Sequence, residues 1–323
     1  MNHPATVSSS GTFMPAKPSH TGLMFGVLLA VGLVAPFVAY PTFLMKLLCF
    51  ALFASAFNLL LGFAGLLSFG HAAFFGGAAY VCAWLVKEAG WSPGLGLVAG
   101  TVVGGLLGAI FGWVAIRRAG IYFAMITLAL AQLVFFLALQ LPFTGGEDGL
   151  QGVPRGTLFG IDLSNNTAMY YFVFAVFSAG FWLIHRTVHS PFGQVLKAIR
   201  ENEPRAISLG YQVERYKLLA FVISAALAGL AGSLKALVFQ LASLTDVHWH
   251  MSGEVVLMTL LGGLGTIFGP AVGASVIVIL QNELADKVGQ WVTVIMGAIF
   301  VICVLAFRRG IVGELKALRA RLG

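Results

Sequence analysis

Long apolar stretches without an aspartate, glutamate, lysine or arginine follow one another along the chain, separated by short polar connections. About 20 apolar residues at ~1.5 Å per residue span ~30 Å of hydrocarbon, so each stretch can hold a transmembrane helix and the second can hold two. The ~10-residue alternation of a membrane β-barrel is absent. We therefore predict an all-α, polytopic helical bundle with about eight or nine membrane segments. The stretches are Pro18–Met45, Leu47–Val86, Trp91–Ile116, Ala119–Gly146, Leu163–Ile184, Leu218–Leu234, Val255–Asn282 and Val288–Phe307.

Composition indicates that lipid is the solvent for most of the chain. The 323 residues are 59% hydrophobic and 10% charged, and the mean hydropathy is +0.93, which exceeds what the core of a soluble domain can bury. We divide the chain into a polar tail over residues 1–21, a membrane domain over 22–307 and a basic tail over 308–323. The apolar run after residue 21 lacks a small-residue cleavage site, so we interpret it as the first helix and not as a signal peptide.

The net charge of +7 is unevenly distributed, and its distribution predicts an orientation. Lysine and arginine cluster in the 186–217 loop and in the 308–323 tail, so the positive-inside rule predicts both in the cytoplasm, together with the N-terminal tail. The 142–167 loop carries three acids against one arginine and is predicted to lie outside. These basic clusters are signals of topology, and no nucleic-acid partner is expected.

Glycines interrupt the apolar stretch near residue 262, and the interruption resolves a conflict in this topology. A single crossing between residues 255 and 282 would leave the basic C-terminal tail outside. A helix from Val255 to Leu261 measures only about 10 Å, which is too short to cross a bilayer. We therefore predict that residues 252–282 form a broken, re-entrant segment, which membrane proteins tolerate where it is buried in protein or lines a cavity.

A second interruption in the first half of the chain resembles the one near residue 262. Leu60-Leu61-Gly62, Gly65 and Phe69-Gly70 recur as Leu260-Leu261-Gly262, Gly265 and Phe268-Gly269. Paired interruptions of this kind indicate two pseudo-repeated halves with a substrate path between them. Chance alignment among 40 glycines is the alternative. The predicted path residues are Gly65, Ser68, Gly70, His71, Gly262, Gly263, Gly265 and Gly269.

Few polar side chains lie inside the apolar stretches. Ser68 and His71 either line a path or make hydrogen bonds within the helix packing, whereas packing is favoured for Asn58. Helix N-termini at the two interruptions offer free N–H groups to the carboxylate of a zwitterionic solute. Lys235 is costly in lipid unless it reaches water or a partner, so we predict an interface position, with Glu254 as a candidate partner.

The loop between Ser190 and Arg215 is the longest charged segment outside the apolar stretches. Apolar residues at helical spacing, Pro204 and a stop at Gly210 predict two short amphipathic helices that dock onto another protein. Helices lying in the lipid interface are the alternative. The predicted docking residues are Gly193, Arg200, Glu201, Glu203, Ala206 and Gly210.

Motifs for catalysis are missing from the chain. No lysine follows a glycine, so there is no phosphate-binding P-loop, and any ATP must be hydrolysed by a partner. His185 and His189 have the spacing of metal ligands but lack the carboxylate of the HExxH pattern. We expect no metal, no cofactor and no enzymatic activity, because an enzyme or scaffold in the membrane would need clustered intramembrane histidines or acids.

Five segments of the chain are informative when taken together. They are GLLSFGHAAFFGGAAY (Gly65–Tyr80), GIYFAMITLALAQ (Gly120–Gln132), TGGEDGLQGVP (Thr144–Pro154), RYKLLAFVISAALAGLAG (Arg215–Gly232) and GGLGTIFGPAVGA (Gly262–Ala274). These segments resemble the permeases of branched-chain amino acid ABC importers, of the LivM/LivH type. The resemblance implies a subunit in the bacterial inner membrane that translocates branched-chain amino acids or similar small amide solutes. It implies ATP-binding subunits, a second homologous permease subunit and a periplasmic substrate-binding protein as partners, with residues 186–217 as the coupling loop. An ion-coupled secondary transporter of small solutes is the alternative.

Overall fold

A computed structural model describes residues 20–158, 160–291, 294, 295, 297–299, 301 and 310–314. The predicted tails lie outside the described residues at 1–19, 308–309 and 315–323, as does half of the last predicted crossing. The helices are α1 (His20–Val38), α2 (Pro41–Asn58), α3 (His71–Lys87), α4 (Pro93–Ala115), α5 (Ile121–Gln140), α6 (Asn166–His189), α7 (Pro191–Glu201), α8 (Glu203–Ser208), α9 (Val213–Phe239), α10 (Leu244–Val247), α11 (Trp249–Gly262) and α12 (Gly269–Val288).

Helix dominates the described residues, which confirms the predicted all-α bundle. Helix α2 continues as a π-helix over Leu59–Ala64. In the described part of the chain, three 3₁₀ turns cover Pro142–Thr144, Gly146–Asp148 and Gly289–Trp291. Among the same described residues, five helical segments of 20 to 27 residues are long and apolar enough to cross a membrane, namely Pro41–Ala64, Pro93–Ala115, Ile121–Gln140, Asn166–His189 and Val213–Phe239.

Helices α2, α3 and α9 form the centre of the bundle. The span of α2 and its π-helix is 83% buried and that of α9 is 72% buried, whereas α5 is only 22% buried. Large apolar side chains of α4 and α5 point away from the protein, among them Val102, Leu106, Ile110, Leu133 and Phe136. Exposing such a large apolar surface to water is unfavourable, so these faces suit contact with lipid or with another membrane subunit.

A stripe of glycines holds α4 against α9. The stripe falls on every fourth residue of α4, so its members share one helical face, as in small-xxx-small motifs of membrane helices. A Cβ at Gly104 would lie 2.9 Å from the Ala225 carbonyl oxygen and 2.9 Å from Cα of Gly229. The two backbones are therefore in direct contact, and a side chain would part them. The stripe consists of Gly100, Gly104, Gly108 and Gly112, which face α9, and of Gly96, where a Cβ would meet Val86 and Cys82 of α3 instead.

The connections gather at two opposite ends of the bundle. The strand end comprises the connections 88–92, 141–165 and 240–248, and carries β1 (Leu150–Gln151), β2 (Thr157–Leu158), β3 (Ile161–Asp162) and β4 (Leu241–Ala242). Strand β1 pairs antiparallel with β4, and β2 pairs antiparallel with β3. The basic end comprises the connection 116–120 and the segment 190–212, which contains α7 and α8.

Helix α11 is short because the chain before it enters the bundle. Val247, at the end of α10, packs against Gly76 inside α3. From there α11 runs for 14 residues, about 21 Å, to the basic end, and α12 returns for 20 residues. The segment thus breaks and turns back as predicted, although α11 begins six residues earlier than Val255.

Candidate functional site

The two glycine interruptions are observed as two broken helices with similar geometry. The π-helix after α2 ends at Ala64 and is followed by Gly65, whose φ is +74°. Helix α11 ends at Gly262 and is followed by Gly263 and Gly265 with φ of +118° and +71°. Positive φ values favour glycine, so these positions explain why both interruptions need that residue. We call residues 62–70 the first break and residues 262–269 the second break.

Asn58, the last residue of α2, binds the second break through its side-chain amide. Its Nδ2 donates to the Thr266 carbonyl at 2.9 Å, and its Oδ1 accepts from the Gly265 N–H at 3.0 Å. The residue is 1% exposed, so these bonds replace water completely. A Cβ at Gly62 would collide with Asn58 Oδ1 and lie 2.7 Å from Gly265 N, so only glycine fits between the breaks.

Arg200 of α7 reaches both breaks from the basic end. Its Nη1 donates to the Gly62 carbonyl. That carbonyl is among the last four of a helix ending at Ala64, which have no partner inside the helix. A cation is also favourable at a helix C-terminus. The same Nη1 lies 3.1 Å from a Cβ built at Gly265, and the Arg200 stem lies against Gly65.

The basic-end segment has its own small core, as the predicted amphipathic helices require. Ser190 caps α7 by accepting from the Gly193 N–H, and Asn202 caps α8. Glu203 forms an ion pair with Lys217 of α9 at 2.6 Å. Gly193 has no room for a Cβ, because the Val188 carbonyl occupies that space.

The predicted docking residues do not all face outward. Ala206 is 2% exposed and packs with Ile199 and Val213 inside the segment. Gly210 has a φ of +87° and no atom within 4 Å of a Cβ built on it, so a left-handed backbone requires glycine there. Ile207 and Leu209, which were not among the predicted docking residues, are 58% and 68% exposed. Arg200 and Glu201 are both exposed at the surface, and Arg200 also donates to the Gly62 carbonyl.

The predicted path residues Ser68 and His71 are fully enclosed. His71 Nε2 lies 2.9 Å from the Ser224 hydroxyl. Its ring meets three phenylalanine rings edge-on, those of Phe57, Phe74 and Phe221. This surrounding matches the packing alternative for His71. The path itself stays a prediction for Ser68 and His71.

Hydroxyl groups occupy the helix N-termini that follow the two breaks. At α3, the N–H of Gly70 donates to Ser68, and the N–H of Ala72 donates to Ser252. At α12, the Gly269 N–H donates to the Thr266 hydroxyl at 3.1 Å. A solute carboxylate would therefore have to displace these hydroxyls before it could bind either helix end.

Lys235 has a different partner from the candidate taken from the sequence. Its Nζ lies 2.6 Å from Asp246 Oδ2, and the two side chains are 12% and 2% exposed. Asp246 also accepts from the backbone N–H of Ser243, which caps α10. The suggested pairing with Glu254 is wrong, because α10 enters the bundle and brings Asp246 to α9; Glu254 bonds instead to Gln281.

Long apolar helices, two breaks inside the bundle and a charged segment at one end define a multi-pass helical membrane protein of the transporter class. The family model described as branched-chain amino acid transport system, permease component, matches residues 40–304. This chain belongs to that family. No solved structure gives a significant match to the chain.

Curated relatives agree with the family. The high-affinity branched-chain amino acid transport permease LivM of Salmonella typhimurium is 28% identical over 272 residues, covering 77% of this chain and 64% of its own length. A probable LivM of Methanocaldococcus jannaschii is 28% identical, covering 58% and 54%. The ribose import permease RbsC of Bacillus subtilis is 30% identical, covering 56% and 58%. The chain thus spans just under two thirds of the length of the first LivM relative.

Proposed function

We propose that this chain is the membrane-spanning permease subunit of an ABC importer, driven by separate ATP-binding subunits. Family membership and the LivM relatives support this function. The missing P-loop supports ATP hydrolysis in a partner. Branched-chain amino acids are the proposed substrates, with other small amide solutes as the neighbouring class. A second homologous permease subunit and a periplasmic binding protein complete the proposed importer.

The proposed orientation in the bacterial inner membrane follows the charges. The basic end, with Arg117, Arg118 and the segment 190–212, lies in the cytoplasm, and the strand end lies outside. Both tails are then cytoplasmic. The acids Glu147, Asp148 and Asp162 of the strand end fit the outer side, where positive charge is not enriched.

The observation that carries the proposal is the contact of α7 with both breaks through Arg200. An ATP-binding subunit that moves the basic-end segment would pull on the start of the first break, at Gly62, and press on the second break. Broken helices can rearrange at small cost, because their ends are not continued by helical hydrogen bonds. The basic-end segment therefore transmits nucleotide-driven motion to the centre of the bundle.

The surface that binds the ATP-binding subunit consists of Ile207, Leu209 and Tyr211. These apolar side chains are 58%, 68% and 40% exposed on α8 and the turn after it. An amphipathic helix with such residues suits a groove of a protein partner. Ala206 and Gly210 support this surface from within, by packing and by backbone conformation.

Co-purification of the chain with its ATP-binding subunits tests this surface. We expect Ile207→Asp and Leu209→Asp to reduce association by about tenfold or more, because a carboxylate would be desolvated at an apolar contact. Ile161→Asp is the matched control, since Ile161 is 60% exposed at the strand end. Unchanged association of the basic-end variants would contradict the proposed surface.

Uptake into proteoliposomes distinguishes the importer from an ion-coupled secondary transporter. An importer needs ATP and the periplasmic binding protein, and an ionophore leaves its activity intact. Uptake that persists without ATP and collapses with the ionophore would refute the proposal. Competition among leucine, isoleucine, valine, urea and amides in the same assay identifies the substrate.

A further inference from the structure

The motion proposed for α7 must be transmitted from the first half of the chain to the second half, and Asn58 lies at the contact between them. Arg200 makes its hydrogen bond to the first break, at the Gly62 carbonyl. The second break has two hydrogen bonds to the Asn58 amide, which lies 207 and 208 residues away along the chain. We propose that Asn58 is a positioning residue that clasps the two breaks, so that they move as one unit when α7 moves. This inference rests on the proposed importer function.

The clasp satisfies backbone groups that the second break leaves without helical partners. Helix α11 ends at Gly262 and α12 begins at Gly269, so Gly265 N–H and Thr266 C=O lie outside both helices. Buried backbone groups need partners, and a side-chain amide supplies a donor and an acceptor together. An aspartate at position 58 would keep the acceptor for Gly265 but could not donate to Thr266.

The π-helix begins directly after the clasp residue and carries the carbonyl that Arg200 binds. It begins at Leu59, the residue after Asn58, and Gly62 lies near its centre. Single-turn π-helices are less favourable than α-helix and are frequently found at functional sites. Lys197 of α7 lies 5.7 Å from the ring of Phe63 in the same turn. The segment is therefore held by α7 on one side and by the second break on the other.

The two breaks are in close contact beside Asn58, at Gly62 and Gly265, and no free space separates them. Gly62 cannot carry a Cβ without striking Asn58 Oδ1, and a Cβ at Gly265 would lie 3.2 Å from the Gly62 carbonyl. Neither break can shift by more than a fraction of an ångström toward the other. A displacement of the first break must therefore carry the second break with it or break the two hydrogen bonds of Asn58.

Coupling in the reconstituted importer tests the clasp. The variants are Asn58→Ala, which removes both hydrogen bonds, and Asn58→Asp, which removes the donor. Ser55→Ala is the matched control, because Ser55 is also 1% exposed on α2 but donates only to Ala51 of its own helix. We expect the Asn58 variants to assemble and hydrolyse ATP while moving about tenfold less solute per ATP. Unchanged solute per ATP in both variants would overturn the proposal, as would an equal loss in Ser55→Ala.

Hydrogen exchange of the same complexes separates failure of the clasp from failure of the proposed function. In the wild type, nucleotide should change exchange in residues 59–66 and 262–268 together. In Asn58→Ala only residues 59–66 should respond, and the amide of Gly265 should exchange faster even without nucleotide. A response of both segments in the variant would refute the clasp. A wild-type complex without ATP-dependent uptake refutes the importer function, whereas exchange at Gly265 in the permease alone still decides whether Asn58 protects it.

Discussion

Two adjacent glycines of α4 allow a sharp test of the packing between α4 and α9. Gly104 faces α9, where a Cβ would lie 2.9 Å from backbone atoms of Ala225 and Gly229. Gly105 is the next residue, and a Cβ there would meet only the Ala226 methyl at 3.4 Å, an ordinary contact distance. Alanine at the two positions therefore adds the same methyl group to the same helix in two different surroundings.

The expected stabilities follow from two terms. Replacing glycine by alanine inside a helix is favourable by about 1 kcal/mol at either position. At position 104 the new methyl needs about 3.5 Å or more of separation, so the helices must part by roughly 0.6 Å or the backbone must shift, and such overpacking costs about 1–3 kcal/mol. The propensity term cancels between the variants, so Gly104→Ala should be less stable than Gly105→Ala by about 1–3 kcal/mol.

Unfolding by sodium dodecyl sulfate in mixed micelles, followed by circular dichroism, measures this difference. Gly105→Ala should be as stable as the wild type or more stable by up to about 1 kcal/mol. Equal stability of the two variants would show that α4 and α9 are not in backbone contact at this level. A less stable Gly105→Ala would mean that the face assigned to α9 is wrong.

Three further predictions concern the buried ion pair, the proposed path and the basic-end segment. Asp246→Leu should destabilise the protein by about 3–5 kcal/mol in the same unfolding assay, because it leaves Lys235 buried without a partner, and the double variant with Lys235→Met should recover most of that loss. In a background without the three native cysteines, Ser68→Cys should react with a polar thiol reagent during turnover if it lines the path. Ser233→Cys, on α9 and buried against α3 and α4, should stay unreactive. Ala206→Leu should disorder α7 and α8, seen as faster proteolysis of residues 190–212, because the core around residue 206 would be overpacked.

Features that depend on whether a segment lies in lipid or in water could be predicted from the sequence. Membrane helices must be apolar over about 20 residues, so their existence shows in the hydropathy pattern alone. The breaks could also be predicted, because Gly65 and Gly265 adopt a backbone conformation that other residues avoid. The glycine stripe of α4 had a visible signal in its regular four-residue spacing, although the sequence analysis did not use it.

Contacts between distant parts of the chain could not be predicted in the same way. Lys235 was assigned a partner on the neighbouring segment, but the partner depends on how deeply α10 enters the bundle, which no local pattern reports. Ala206 was placed at a docking surface because it belongs to the second of the two short helices that were predicted to dock. Which face of a six-residue helix is covered depends on the helices around it, here on Ile199 and Val213.

The two breaks show how a chain with few polar residues builds a mechanical link inside lipid. Each break leaves backbone groups that lipid cannot satisfy, so protein groups must bind them. Arg200 enters from the aqueous side and binds a helix C-terminus. Asn58 binds the second break deep in the bundle through its neutral amide. The charged group lies at the basic end and the neutral amide lies deeper in the bundle. This arrangement is expected, because burying a neutral, hydrogen-bonded amide costs far less free energy than burying an ion. The same hydrogen bonds that satisfy the broken helices therefore connect them to the segment that an ATP-binding subunit would move.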